Sequence, residues 1–261
     1  RDCLLSRGLG DVYKRQDIGN MNNLCKRLFS LFLGSILYTA TVVADNEIYM
    51  TQSGATSSID LEQLGSSNLI GGLNSVSGQL TAFDLDGTTM TLDINQIGSS
   101  NTFLGDIYAD TITGLFDFTG DSNLFTIQID PDNTYGADNS NWNVSVTGDS
   151  NTFTLNQAIN DLASSADLDW LITGSNNTIT YDLDIASATS YLDIDGDDNT
   201  LTYDGDGYSG GYFYLDHTGG SRTFNITQQS TLAVDWLKII SNGSNGTICI
   251  NQSDGGTSTS C

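Results

Sequence analysis

The chain has 261 residues, 32 of them acidic and 8 basic, for a formal net charge of −24 at pH 7. That balance argues against nucleic acid and anionic membrane surfaces as partners, because both are recognised through basic patches. A composition with 28 glycines and 1 proline suits a sheet protein, in which each proline would remove a donor from the ladder.

Residues Arg1–Asn20 match nothing downstream and have the character of upstream or non-native translated sequence, so they are left out of fold reasoning. From Met21 the order is Lys26-Arg27, the apolar run Leu28–Leu37, then Val42-Val43-Ala44. A basic, then apolar, then small-residue layout predicts a secretory signal peptide over 21–44, cleaved after Ala44. The apolar run is too short for a permanent bilayer span. Residues 45–261 then hold only Arg222 and Lys238 as cations. Of the cysteines only Cys249 and Cys261 remain; secretion permits a disulfide between them, and spacing leaves a free or intermolecular thiol open.

After a lead-in over Asp45–Ser58, one unit recurs with its glycine at Gly65, Gly98, Gly120, Gly148, Gly174, Gly196, Gly219 and Gly243. Four residues before the glycine stand Leu61, Ile94, Phe116, Val144, Trp170, Leu192, Leu215 and Ile239. Five residues after it stand Ile70, Phe103, Phe125, Phe153, Ile179, Leu201, Phe224 and Ile248. Every member of both columns is apolar, and residues alternate around them, which predicts strands with one buried face. Three residues after the glycine is Asn68, Asn101, Asn123, Asn151, Asn177 or Asn199, with Arg222 and Gly246 as exceptions. These glycines and asparagines are expected to permit the reversal by tolerating positive φ. Apolar columns held at such periods predict an all-β, single-chain β-solenoid of about eight two-stranded rungs. From Gly65 to Gly98 the interval is 33 residues with Gly87 inside it, which is compatible with one and a half rungs. The longer later intervals carry Asp130–Ser140 and Ala158–Ala166, expected to emerge as loops along one edge, with one helical turn in the second.

The repeat resembles that of the curlin family, the subunits of extracellular amyloid fibres, whose pattern is roughly Ser-x5-Gln-x-Gly-x-x-Asn-x5-Gln. Ser57…Gln63-Leu64-Gly65-Ser66-Ser67-Asn68…Asn74 follows it with Asn for the last Gln, and Gln96-Ile97-Gly98-Ser99-Ser100-Asn101 follows its middle. Asn151…Gln157 follows the second half, and Gln228 and Gln252 sit at the same offset from their glycines. The central rungs depart: two before the glycine stand Phe118, Val146, Ile172 and Ile194. The resemblance implies inward Gln and Asn ladders and subunits that stack into fibres.

Outward positions flank the inward columns. Thr152 and Thr154, Thr178 and Thr180, and Thr200 and Thr202 form Thr-x-Thr pairs in successive rungs. This array resembles the faces of solenoid antifreeze proteins, although Thr is also simply a good exposed strand residue. The other face is expected to be more acidic, with Asp60, Asp93 and Asp169 in one column and Glu62, Asp117, Asp193 and Asp216 in another. Asp193–Asn199 and Asp204–Gly207 look like calcium loops, but their glycine spacing fits neither the EF-hand nor the calcium β-roll repeat. No cofactor is expected, and calcium enters only as a titration to be tried.

Gly207-Tyr208-Ser209-Gly210-Gly211 has the Gly-x-Ser-x-Gly form, but no helix is expected after it and His217 falls in an inward column. An enzyme is not expected. Trp142, Trp170 and Trp236 would form a carbohydrate platform if exposed, and Trp170 is expected in the core. The function expected is that of a secreted, cell-surface-associated structural protein stacking head to tail into extracellular matrix filaments. Its partner would be further copies of itself, with an outer-membrane secretion machinery or a nucleating subunit as accessories. The alternative is a monomeric binding module, either an ice binder through the Thr face or an adhesin.

Overall fold

The computed structural model describes residues 46–73, 80–81, 83–130, 138–157, 165–184, 187–207, 211–230 and 235–254. The expected signal peptide, the Gly-x-Ser-x-Gly centre and the loop insertions over 131–137 and 158–164 lie outside the described residues.

The chain is an all-β parallel β-solenoid with two sheets. The first sheet has eight strands, one per rung: Thr56–Leu64, Thr89–Ile97, Thr111–Thr119, Ser140–Thr147, Ala166–Thr173, Ala188–Asp195, Tyr212–Thr218 and Trp236–Asn242. The second sheet has 11, of which Leu69–Ile70, Thr102–Tyr108, Leu124–Ile129, Thr152–Gln157, Thr178–Asp184, Thr200–Gly207, Thr223–Ser230 and Thr247–Asp254 follow those strands in turn. Eight stacked strands make about seven turns, which at ~4.8 Å per step rise roughly 34 Å.

Strand pairing sets the residues of each apolar column side by side. In the first sheet Phe116 lies between Ile94 and Val144, and Trp170 between Val144 and Leu192. In the second, Phe125 lies between Phe103 and Phe153, and Ile179 between Phe153 and Leu201. The two columns meet in the middle, where aromatic rings run from rung to rung. Phe118 stacks on Phe125 at 3.7 Å, Phe153 meets Trp170 edge-on at 4.4 Å, and Tyr203 lies 4.1 Å from Phe213. Each such side chain, once fully buried, stabilises the fold by about 1.5–3 kcal/mol. Glycines make the holes these rings fill. A Cβ on Gly114 would overlap the Trp142 ring, and one on Gly205 would press on Tyr203.

The first complete rung differs from its expected register. Thr56–Leu64 pairs directly with Thr89–Ile97, so Gly65 to Gly98 is a single rung and not one and a half. Its second strand is interrupted: Leu69–Ile70 pairs with Thr102–Phe103, and Phe83–Asp86 resumes the same line against Gly105–Tyr108. Between them the chain leaves the sheet, and Gly72–Leu73 pairs antiparallel with Leu80–Thr81. Gly87 does stand on the edge opposite the repeat glycines, donating its N–H to Tyr108. Before this rung, Glu47–Ile48 and Thr51–Ser53 lie on the same interrupted line as a half rung.

Candidate functional site

The repeat turns stack into a continuous seam. Each glycine there has φ between +126° and +153° from Gly65 to Gly219. Two residues later the chain is left-handed again, at φ +60° in Ser100, +60° in Asn176 and +59° in Asp198. Serine at this place in five of the turns, Ser67, Ser100, Ser122, Ser150 and Ser221, conceals the conformation from a sequence reading. The asparagine one residue further on does not carry positive φ, which corrects its expected role. It is buried instead, and its Oδ1 accepts the backbone N–H of the corresponding asparagine one rung earlier. Asn68 donates to Asn101, Asn101 to Asn123, Asn123 to Asn151, Asn151 to Asn177 and Asn177 to Asn199, all at 2.8–2.9 Å. Asn101 and Asn123 also donate through Nδ2 to Gly98 and Gly120 of their own turns. Asn46, in the half rung, extends the ladder by donating to Asn68 Oδ1 at 3.1 Å.

Stacking, and not φ alone, demands glycine. A Cβ on Gly120, Gly148, Gly174, Gly196 or Gly219 would overlap the carbonyl oxygen of the glycine one rung earlier. A second ladder unforeseen from sequence runs beside it: the Asp121 carboxylate accepts from the Asp149 N–H, Asp149 from Ser175, and Asp197 from Gly220.

The glutamines concentrate toward the ends. At one end Gln96 Nε2 donates to Gln63 Oε1 at 2.8 Å, and Gln63 Nε2 to the Asn46 carbonyl at 2.9 Å. At the other, Gln252 Nε2 donates to Gln228 Oε1 at 3.4 Å and to the Asp235 carbonyl at 3.0 Å. Gln157 is buried in mid-stack and donates to Ser140 Oγ. Between the ends, the Gln63–Gln96 column continues as Phe118, Val146, Ile172, Ile194, then His217 and Ser241. His217 is fully buried, with Nδ1 3.0 Å from Ser241 Oγ. Burial, with Arg222 behind it, lowers its pKa below the usual imidazole value. The asparagine ladder ends at Arg222, whose guanidinium donates to the Asn245 carbonyl.

Burial separates the middle from the ends. Phe116, Trp170, Ile179 and Leu201 are sealed, whereas Ile48, Ile59 and Leu61 at one end and Leu237, Ile239 and Ile248 at the other are only partly buried. Among the described residues, strands Trp236–Asn242 and Thr247–Asp254 each have one neighbour within their sheet, as does Thr56–Leu64.

The outer faces follow the alternation. Thr152, Thr178 and Thr200 pair in one outward column of the second sheet and Thr154, Thr180 and Thr202 in the next. Acidic residues occupy both sheets: Asp84 pairs with Asp106 and Asp182 with Asp204 beside the threonines. Partial burial and the Asp84 charge push the Asp106 carboxyl above its usual range. On the first sheet Asp60 pairs with Asp93, and Asp193 with Asp216. Partial burial, Asp195, Asp216 and Asp169 raise Asp193 likewise. Trp142 and Trp170 are core residues, and Trp236 is exposed. Cys249 is disulfide-bonded; Cys261 lies outside the described residues. Comparison with known families, curated proteins and solved structures finds no match for this chain.

Proposed function

We propose that this is a secreted structural protein whose copies stack end to end into extracellular, curli-like filaments. One observation carries the reading. The inward columns reach both ends of the stack as partly exposed apolar positions, beside strands with one neighbour among the described residues of their sheet. A strand edge that continues a buried column is a template for the same pattern in a second copy. The Gln63–Gln96 and Gln228–Gln252 ladders at the two ends are what bring the curlin family to mind. The polymer of itself is the principal partner, with a secretion machinery or nucleating subunit as accessories. Catalysis has no part in this reading.

The test is negative-stain microscopy of the purified chain after incubation, with and without salt and calcium. Thin unbranched filaments are expected, more readily at higher ionic strength, because the net charge of −24 repels copies until it is screened. A monodisperse monomer under every condition overturns the proposal.

A second reading rests on the paired threonine columns, in register over three rungs. It is ice binding by a monomer. Faceted ice crystals at high protein concentration are its expected result, and an unaltered crystal habit removes it.

A further inference from the structure

The outer face of the first sheet changes character over its last three rungs. In earlier rungs two outward columns hold Ser58, Thr91, Thr113, Asn141 and Asp167 in one, and Asp60, Asp93, Leu115, Asn143 and Asp169 in the other. In the last three they hold Thr189, Tyr212 and Trp236 in one, and Tyr191, Tyr214 and Lys238 in the other. The three tyrosine rings form one cluster, with Tyr191 centred 5.7 Å from Tyr212 and 5.9 Å from Tyr214, and Trp236 follows Tyr212 in its column. Trp236 is 67% exposed and Tyr191 45%, so these rings are not spent on the core. In the adjoining column Asp193 stands beside Asp216, and Tyr214 Oη donates to Asp216 Oδ2 at 3.2 Å. The cluster already holds one cation by a ring face: Lys238 Nζ sits 4.8 Å from the Tyr214 centroid.

We infer that this face binds an extended polysaccharide of amino sugars bearing free amines. Flat exposed rings stack against the C–H faces of pyranoses, and ring faces attract ammonium groups as the Lys238 geometry shows. Asp193 and Asp216 supply acceptors for the hydroxyls and counter-charges for the amines. Charge selects this occupant over a second copy of the chain, since lateral contact between two chains of net charge −24 is repulsive while a polycation is drawn to the face. It also selects against acidic polysaccharides. The site lies on the outer face of the sheet, with Trp236 and Lys238 on its end strand, and its side chains are not those of the inward columns from which the filament reading is argued.

Trp142 and Trp170 are each 1% exposed, so fluorescence accessible to acrylamide reports Trp236. The probes are the glucosamine hexamer, the N-acetylglucosamine hexamer and hexalysine, each titrated onto the purified chain at physiological salt. The glucosamine hexamer is expected to protect Trp236 saturably and more strongly than the other two. By a tryptophan-independent readout such as calorimetry, Trp236→Ala and Tyr214→Ala are each expected to weaken it about tenfold. Asp193→Asn with Asp216→Asn should weaken it without lowering the unfolding midpoint. Equal protection by hexalysine reduces the effect to bulk charge and overturns the inference. Equal protection by the N-acetylated hexamer overturns it too, as does no protection by any probe. None of these results bears on whether filaments appear in the microscope.

Discussion

The middle rungs and the end rungs share one backbone plan and differ in what fills it. Around Phe125, Phe153 and Trp170 the interior is a run of rings sealed from water, flanked by an unbroken asparagine ladder. Toward the last rungs the same columns hold His217, Ser241, Arg222 and Gly246, and the apolar residues are half-open. The backbone register therefore does not depend on one core chemistry. Parallel pairing and the glycine seam keep the rungs aligned, and side chains then decide whether a rung is closed or ready for a neighbour.

The largest effect that would sharpen this contrast comes from the core. Trp170→Ala should cost about 3–5 kcal/mol in urea unfolding, and Ile248→Ala in the half-open last rung much less. Comparable losses would break the distinction between middle and end. Next is the seam. Gly174→Ala places a Cβ into the Gly148 carbonyl and should cost roughly 3 kcal/mol or more. Gly65→Ala meets only the Asn68 side chain, at ordinary contact distance, so it bears the backbone cost alone, about 1–3 kcal/mol. Asn151→Ala orphans the buried Asn123 N–H and should lose about 1–3 kcal/mol. Conversely, Arg222→Asn would carry the ladder one rung further. It should raise the unfolding free energy by about 0.5–1.5 kcal/mol, with an unchanged or lower value showing that the ladder cannot extend there.

The smallest effect is with pH. His217 has a folded pKa below its unfolded value, because burial disfavours the cation. The unfolded chain then binds more protons, so this contribution is complete above about pH 6.5 and is lost as pH falls below it. Asp193 and Asp106 act with the opposite sign. Their folded pKa values are raised, so acidification through the carboxylate range relieves them. His217→Gln should remove the loss just below neutrality and leave the more acidic limb intact, as read from midpoints across pH.

The inward columns were legible because alternation puts apolar residues on one face, and a common offset from glycine repeats that choice in every rung. The asparagine column was equally visible, but its role was not. Asn commonly supplies positive φ, and only three-dimensional stacking reveals that serine, aspartate or asparagine one place earlier takes that conformation while Asn68 and its successors bond across rungs. The register near Gly87 was hidden because the chain leaves the sheet after Ile70 and rejoins it at Phe83. The fit of Trp142 over Gly114 was hidden too, since those residues touch only through rung pairing. The tyrosines were readable one at a time as strand residues. Their gathering beside Trp236 follows from registers that no single strand displays.

The glycine seam also constrains how such a molecule can change length. With each turn resting on the carbonyl of the turn before, an extra residue there would lift one rung off its neighbour and shift every ladder above it. Among the described residues the opposite edge bears no such stack of repeat glycines, and the irregular spacings fall there: Ile129 and Ser140 bracket one, Gln157 and Ala166 another. Growth is therefore confined to two routes, loops added on the far edge and whole repeats copied in frame. A lineage of these proteins should differ by complete rungs and by far-edge loops, while Gly-x-x-Asn keeps its spacing throughout.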